Sequence, residues 1–329
     1  MDLGHQSARP ADAAAEEALR TARAVADNVA RVIHAPRETL DMVVVALLAE
    51  GHVIVEDFPG VGKTMLAKTL ARSIDCRFSR LQFTPDLLPS DITGVSVFDQ
   101  RSDQFAFRPG PVFANLLLVD EINRASPKAQ SALLECMQER QVTVDGVTYP
   151  LEPPFMVVAT QNPIEYEGTF PLPEAQLDRF AVLLRLGYPG LADEARMLAE
   201  QTAPQGPPLD ELEPVCGADD VVAAIQAARE VYVDAALTRY VAALLGHTRA
   251  DARLALGASP RAGIALLRVA KARALLAGRD YVVPDDIKAV IEPVLSHRVI
   301  LSADARAAGE GPVAVLAHAV ERTPIPLVG

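Results

Sequence analysis

The residues with the clearest chemical potential lie where the chain reads PGVGKT. Glycine tolerates the tight curvature that lets backbone N–H groups close around phosphate oxygens, and two glycines alternate here. A lysine after such glycines can reach terminal phosphates as a point charge, and a threonine hydroxyl can ligate Mg²⁺. The predicted binding residues for a nucleoside triphosphate are Pro59, Gly60, Val61, Gly62, Lys63 and Thr64.

The sequence around this loop supports the same interpretation, with one departure. The apolar run Val53 to Val55 predicts a buried strand before the loop, and a helix start follows it. The alternative is a Gly-Lys-Thr that occurs by chance in a glycine-rich turn, but such a turn would have neither the strand before it nor the helix after it. However, Asp57 stands at the first position of the phosphate-loop pattern, where glycine is usual. This departure leaves open a nucleotide-switched binding module without turnover.

Two carboxylates follow a second apolar run. Leu116 to Val119 predicts a buried strand, and Asp120 and Glu121 come directly after it. Ligands bind beyond the carboxyl ends of strands in open α/β sheets. Asp120 is therefore a candidate Mg²⁺ ligand and Glu121 a candidate catalytic base that activates water. The alternative is a solvated acidic pair that ends a strand.

A polar cluster follows a third apolar run, Met156 to Ala159, where the chain reads TQNP. If this strand ends beside the phosphates, Asn162 can contact the terminal phosphate or the attacking water. The competing interpretation is an asparagine in a turn before proline, which is a common turn composition. The preceding strand favours a catalytic role for Asn162.

The spacing of apolar runs predicts an α/β fold with a parallel sheet, followed by a small all-helical lid domain. A fourth strand is expected over Val182 to Leu186, and Ser126 with Pro127 marks a helix start. Proline and glycine enrichment between positions 203 and 217 indicates a domain change. We expect a nucleotide-binding domain over residues 1–190 and a helical lid over residues 191–329.

Helical spacing of apolar residues predicts the remaining elements. An alanine-rich N-terminal helix with interspersed charges is expected over Ala11 to Ala30, and its composition is that of an exposed helix. Gly278 is placed to end a lid helix. The predicted lid helices cover Val221 to Val231, Ala235 to Leu245, Pro260 to Leu276 and Pro284 to Leu295.

Composition limits the possible partners and location. The formal net charge of −12 disfavours nucleic acid, because an acidic surface repels phosphate backbones. The longest strongly apolar stretch, Met42 to Ala49, is too short to cross a bilayer, so no membrane insertion is expected. Three cysteines far apart in the sequence predict neither a disulfide framework nor a zinc site. A reducing cytoplasmic location fits best.

With these motifs in place, the chain resembles the MoxR group of AAA+ ATPases, which is related to the ATPase subunits of magnesium chelatase. The resemblance covers about residues 30 to 300 and is carried by LQFTPDLLPSDITG, FRPGPVFANLLLVDEINRA and ATQNP. It implies that Asn162 is the first sensor, that Arg179 in EAQLDRF is the arginine finger, and that Arg261 in GASPRA is the second sensor. The alternative for Arg179 is a surface salt bridge.

The resemblance also implies a way of working. An arginine finger supplied in trans requires a ring, in this family expected to be a hexamer, that hydrolyses ATP with Mg²⁺. MoxR-type rings are expected to remodel or activate client complexes with partners that carry von Willebrand factor A domains. Two hairpin insertions are implied, near Val95 to Phe107 and over Gln141 to Leu151, where Asp145-Gly146 is a turn pair.

Other functions remain possible at this point. A magnesium-chelatase-like motor subunit shares these motifs, and so do nucleic-acid motors, although the acidic second hairpin and the net charge argue against the latter. A GTPase is disfavoured because no Asn-Lys-x-Asp motif is present. Near the expected adenine pocket, His34 and Ala35 replace the usual Gly-Gln of the family, so the adenine contacts cannot be transferred from it.

Overall fold

The structure is a computed structural model that describes residues 10–58, 60–101, 103–162, 169–202 and 209–325. Its strands and helices largely alternate up to residue 201, and the rest is almost entirely helical. The strands are β1 Val53–Glu56, β2 Phe78–Gln82, β3 Gly94–Asp99, β4 Gln104–Pro109, β5 Leu116–Asp120, β6 Gln141–Val144, β7 Val147–Pro150, β8 Met156–Gln161, β9 Val182–Leu184, β10 Leu254–Leu256 and β11 Ile300–Leu301. The helices are α1 Pro10–Ala30, α2 Arg37–Leu48, α3 Lys63–Ser73, α4 Pro89–Thr93, α5 Pro127–Glu139, α6 Glu174–Leu177, α7 Leu191–Gln201, α8 Ala218–Glu230, α9 Ala235–Ala250, α10 Pro260–Leu276, α11 Pro284–Leu295, α12 Ala303–Ala307 and α13 Pro312–Glu321.

Five parallel strands form the central sheet in the order β2-β5-β8-β1-β9. All their carboxyl ends meet at one edge, which we call the strand-end edge, and their amino ends meet at the strand-start edge. The four strands predicted from apolar runs are present. The fifth, β2, was not predicted, because it lies at the border of the sheet and is only partly buried, so it has no continuous apolar run.

Alternate residues of each central strand enter different cores, as the two-residue period of a strand requires. In β5, Leu116 and Leu118 face a large core shared with the lid helices, whereas Leu117 and Val119 face a smaller core with α5. Ser126 begins α5 as expected, since its hydroxyl accepts a hydrogen bond from the Ala129 N–H at 3.4 Å. The sheet is therefore buried on both faces.

The expectation of an exposed N-terminal helix was wrong. Helix α1 is present over the predicted residues, but one of its faces is buried against α2, α3, α8 and α10. Small side chains permit close helix packing, so alanine acted here as a core residue rather than only as a helix former. The buried face of α1 consists of Ala18, Ala22, Val25, Ala26 and Val29.

Both implied hairpins are present. Strands β3 and β4 pair antiparallel, as do β6 and β7, which are joined through Asp145 and Gly146 with φ of 52° and 79°. The two hairpins touch where Phe107 stacks on Tyr149 with ring centroids 4.2 Å apart. An exposed cross-strand pair, Phe98 and Phe105, lies near the tip of the first hairpin.

The lid is a group of helices, as predicted, but it also contains a short antiparallel sheet of β10 and β11, which was not predicted. Helices α8 to α11 cover the four predicted helical segments, and Gly278 follows α10 with a φ of 80°. Helices α7, α12 and α13 were not predicted. The proposed boundary near residue 190 remains a prediction, because α1 and the lid helices share one core.

Candidate functional site

The phosphate loop leaves β1 at the strand-end edge and leads into α3. Gly60 and Gly62 have φ of 87° and 93°, a region that L side chains rarely adopt. A methyl group at either glycine would meet no atom within 4 Å, so backbone conformation rather than crowding requires glycine there. Pro59 lies outside the described residues. The N–H groups in the first turn of α3 lack intrahelical partners, which is the arrangement that binds anions.

Lys63 is the first residue of α3, and its side chain reaches back to the strand ends. Its Nζ donates to the backbone oxygen of Asp57 at 2.6 Å, and the oxygen of Gln161 is 3.4 Å away. The ammonium therefore lies between the ends of β1 and β8. Thr64 follows on the same turn and is half-buried.

Asp57, the departure from the loop pattern, connects the loop with the segment after β9. Its side chain is buried, with 6% of the residue's surface exposed. One carboxylate oxygen accepts from the Phe58 N–H at 3.0 Å, and the other from the Gly187 N–H at 2.7 Å. The group that contacts Lys63 is the backbone oxygen of Asp57, which glycine would also supply.

The two predicted carboxylates lie at the end of β5. Asp120 is buried and has 6% of its surface exposed. Its Oδ2 accepts from Arg80 Nε at 2.7 Å, and its Oδ1 is 3.4 Å from the Thr160 hydroxyl. Because β5 and β8 are neighbours and β8 also pairs with β1, a single strand, β8, separates Asp120 from the strand that leads into the phosphate loop.

Glu121 has an uncommon backbone conformation, with φ of 56° and ψ of 53°. A left-handed conformation in a residue with a side chain costs on the order of 1 kcal/mol, and such strain is concentrated at functional sites. Its N–H donates to the Thr160 hydroxyl at 2.9 Å. Its Oε2 accepts from Gln82 Nε2 at 2.8 Å and from Arg124 NH1 at 2.9 Å. Glu121 is thus turned away from the path of β5 and held by two donors.

Asn162 is buried, with 9% of its surface exposed, and follows β8 directly. Gln161, its predecessor, pairs with Glu56 at the end of β1. Asn162 therefore lies at the strand-end edge, between the phosphate loop and the carboxylates of β5. The structure brings these three predicted elements together.

Sequence reasoning missed Arg80, Gln82 and Thr160 as members of this site. Arg80 and Gln82 are on the unpredicted strand β2, so nothing placed them beside β5. Thr160 was included in the polar cluster after the third apolar run but was given no role. Its hydroxyl accepts from the Glu121 N–H and approaches Asp120, so it links the two carboxylate residues.

Arg179 and Arg261 are at the opposite edge of the sheet. Both line a pocket with Gly51 and His52, the residues that precede β1. Within one chain the two arginines are therefore separated from the phosphate loop by the length of the strands. No salt bridge to Arg179 is found in the described ranges; its NH1 donates to the Leu134 carbonyl at 2.9 Å, which does not support the surface salt-bridge alternative.

Arg261 lies in the first turn of α10, as expected. Ser259 caps the helix by accepting from the Ala262 N–H at 3.1 Å, and Pro260 is the first helical residue. Arg261 is half-exposed, and its Nε lies 3.9 Å from Asp178 Oδ2. A cation at a helix start opposes the helix dipole, at a cost of about 0.3 to 1 kcal/mol, which bound phosphate would remove.

Two histidines at the strand-start edge are buried and uncharged. Burial lowers the pKa of His52 to about 4 and that of His297 to about 3. His52 Nδ1 accepts from the Val157 N–H at 3.0 Å and Nε2 donates to the Met137 carbonyl at 3.2 Å, which fixes its tautomer. Both histidines act as neutral hydrogen-bonding groups and not as acids.

Neither cysteine chemistry nor a metal cluster is indicated. Burial raises the pKa of Cys76 to about 11 and those of Cys136 and Cys216 to about 12, so these free thiols remain protonated. Among the residues with a described position, no three His, Cys, Asp or Glu side chains are grouped to hold a metal ion. Mg²⁺ bound together with a nucleotide does not need such a group, because phosphates and water supply most of its ligands.

The chain matches the family model described as the ATPase family associated with various cellular activities over residues 52–182, and an AAA lid domain over residues 246–319. It is 46% identical to the uncharacterised protein YeaC of Bacillus subtilis, over 92% of this chain and 93% of that one. It is 42% identical to the chaperone MoxR1 of Mycobacterium tuberculosis, over 92% and 81% of the two chains. A solved structure of a candidate ATPase from Cytophaga hutchinsonii superposes with a TM-score of 0.89 at 38% identity, over 96% of this chain and 98% of that chain.

Proposed function

The chain belongs to the MoxR family of AAA+ ATPases, and from this premise we propose that it hydrolyses ATP in a ring of six subunits to remodel or activate a client protein complex. The supporting observation is the convergence at the strand-end edge of the phosphate loop, the two carboxylates after β5 and Asn162 after β8. Three separate segments of the sequence thus meet at one edge of the sheet.

The residues present fit ATP with Mg²⁺. The glycine loop and the amides at the start of α3 suit the phosphates, and Lys63 supplies a cation between the ends of β1 and β8. Thr64 and Asp120 offer the hydroxyl and carboxylate oxygens that Mg²⁺ prefers. When bound, the metal ion would neutralise charge on the phosphate oxygens.

Glu121 is proposed as the base. Water attacks the terminal phosphorus, its proton passes to the Glu121 carboxylate, and the bond to ADP breaks. Asn162 would orient the terminal phosphate or this water. Gln82 and Arg124 hold the Glu121 carboxylate in the present structure, so the base must exchange these donors for water when it acts.

The position of the arginines supports assembly into a ring. Arg179 and Arg261 lie at the strand-start edge, so a chain cannot bring them to its own phosphate loop without a large rearrangement. Head-to-tail contact between copies, with a strand-start edge against a neighbour's strand-end edge, generates a ring when the rotation between copies closes. In such a ring each subunit would supply Arg179 as the finger and Arg261 as the second sensor to its neighbour's nucleotide.

The client role rests on kinship. A relative at 42% identity is named as a chaperone, and we propose a chaperone-like role here with a partner that carries a von Willebrand factor A domain. We propose a cytoplasmic location, neither nucleic acid nor membrane being a partner. No helix in the described ranges is long and apolar enough to cross a bilayer.

The test compares ATP binding and turnover in wild type, Glu121→Gln and Lys63→Ala. Glu121→Gln should bind ATP normally but turn over about 100- to 10,000-fold more slowly, because only the base is removed. Lys63→Ala should bind about 100-fold more weakly, because a charge-assisted contact is lost. Lys68→Ala, an exposed lysine on the same helix, is the control.

Two results would contradict the proposal. Equal turnover by wild type and Glu121→Gln would show that Glu121 is not the base. Tight ATP binding by wild type without turnover, in the presence of assembled rings, would instead favour a nucleotide-switched binding module.

A further inference from the structure

The lid reaches the sheet through two buried residues that follow α11, His297 and Arg298. Each has 8% of its surface exposed, which is unusual for arginine because burial of a charged group is costly. Burial in fact lowers the pKa of Arg298. A charged side chain kept in such a place needs a full set of partners.

Arg298 has such a set, and most of it is on the segment that contains Arg179. Its Nε donates to Asp178 Oδ1 at 2.7 Å, and its NH2 donates to the carbonyls of Asp178 at 3.1 Å and Phe180 at 2.7 Å. Its NH1 donates to the carbonyls of Ala181 at 3.0 Å and Val294 at 2.5 Å. The guanidinium therefore hydrogen-bonds to the backbone on both sides of Arg179 and connects this segment to the end of α11.

His297 adds a further contact to the same segment. Its Nε2 donates to the Phe180 carbonyl at 2.9 Å, so that oxygen accepts from two lid residues. The Phe180 side chain is fully buried in the smaller core. Arg179 thus projects from a backbone that is fixed by the lid on one side and by the sheet core on the other.

The Arg179 side chain is less well satisfied than its backbone. One donor reaches the Leu134 carbonyl, but Nε is buried without a partner. Asp178, held by Arg298, also lies 3.9 Å from Arg261, so one carboxylate connects Arg298 with Arg261 and directly precedes Arg179 in the chain. The arrangement fixes the positions of Arg179 and Arg261 relative to each other, while Nε of Arg179 has no hydrogen-bond partner.

We propose that Arg298, with Asp178, is a positioning residue that sets where Arg179 and Arg261 stand at the subunit interface, so that movement of the lid is transmitted to the neighbour's catalytic site. This inference rests on the proposed ring ATPase. A misplacement of about 1 Å can cost about 100-fold in rate, so a rigid clamp on the finger segment has a catalytic consequence.

The primary test variant is Arg298→Lys. Lysine keeps the charge but cannot reproduce the five-donor fork. We expect turnover to fall about 100-fold while the KM for ATP stays near that of wild type, because the variant's own phosphate loop is untouched. Asp178→Asn keeps the backbone contacts to Arg298, and its turnover should fall about 10-fold. It is a second, milder variant for the case that Arg298→Lys folds poorly.

The matched control is Arg253→Lys. Arg253 is also paired with an aspartate, Asp251, at 2.7 Å, but its partners lie within the lid and do not include the finger segment. Its replacement should leave turnover unchanged. A loss equal to that of Arg298→Lys would show that any weakening of lid ion pairs lowers the rate, and would overturn the assignment.

Mixed rings distinguish action on the neighbour from simple damage. Glu121→Gln subunits carry an intact clamp and finger but no base, whereas Arg298→Lys subunits carry an intact base. Mixing the two, with separate affinity tags to show that they assemble together, should raise turnover at least about fivefold above either parent. Co-assembly without recovery, or wild-type turnover by Arg298→Lys alone, would overturn the positioning role. Absence of turnover in wild-type rings would overturn the ATPase proposal and this inference together.

Discussion

The two edges of the central sheet differ in how their functional residues are held. At the strand-end edge, the phosphate loop, Asp120 and Glu121 are fixed by the ends of their own strands and by neighbours one strand away. At the strand-start edge, Arg179 is fixed by lid residues more than a hundred positions later in the chain. The first edge is held together by contacts between neighbouring strands. The arginine segment of the second edge is held by contacts with the lid.

The edges are also complementary in charge. The strand-end edge carries the carboxylates of Asp120 and Glu121 and the amides that begin α3, and the strand-start pocket is lined by several cations with few carboxylates. In the proposed ring, the residues for phosphoryl transfer are divided between the two edges, so a neighbouring subunit would complete each site.

The largest expected effect comes from removing the finger. Arg179→Ala should lower turnover about 1,000-fold or more while ATP binding by each subunit is retained, since the arginine acts on charge that develops in the transition state. Steady-state hydrolysis and equilibrium nucleotide binding measure the two quantities separately. Arg239→Ala, an exposed arginine on α9, is the control. Near-wild-type turnover by Arg179→Ala would remove the functional distinction between the edges.

A second prediction concerns the loss of folding stability at low pH. His52 and His297, both at the strand-start edge, have pKa values of about 4 and about 3, below the ordinary value of 6.5. The unfolded chain therefore binds protons at these sites before the folded protein does. Stability is fully present above pH 6.5 and is lost as pH falls toward 4, by up to about 1.4 kcal/mol per pH unit for each histidine.

Urea unfolding at pH 7, 6 and 5 measures this loss. His297→Asn should make the unfolding free energy less dependent on pH, because only one of the two buried histidines can then take up a proton on unfolding. An unchanged slope in that variant would mean that other groups govern acid sensitivity.

The smallest expected effect is at the strand-end edge. Asp57→Gly restores the usual loop pattern but removes acceptors for the Phe58 and Gly187 N–H groups. We expect a loss of about 2 kcal/mol in unfolding free energy with ATP affinity retained, because the Asp57 atom that accepts from Lys63 is the backbone oxygen, which glycine also supplies. Asp57→Asn keeps one carbonyl acceptor, so its unfolding free energy should fall less than that of Asp57→Gly. A large fall in ATP affinity in Asp57→Gly would show that the carboxylate itself shapes the loop.

The elements predicted correctly share a local physical origin. A strand of continuous apolar residues, glycines with positive φ, and a helix start can each be recognised within about ten residues, so the sequence determined the phosphate loop and the carboxylates after β5. The exposed-helix expectation for α1 failed because alanine composition does not show whether a helix face is covered. Strand β2 was missed because a border strand carries polar residues on its partly buried face.

The packing of the chain determines which residues contact each motif. Arg80 and Gln82 meet Asp120 and Glu121 only because β2 pairs with β5, and strand order is not encoded in hydrophobic periodicity. The same holds for the clamp of Arg298 on the segment around Arg179, because contacts between residues so far apart depend on how the lid packs against the sheet. Motifs and apolar runs were enough to predict which residues gather at one edge of the sheet. Only the packed chain determined that the arginines lie at the other.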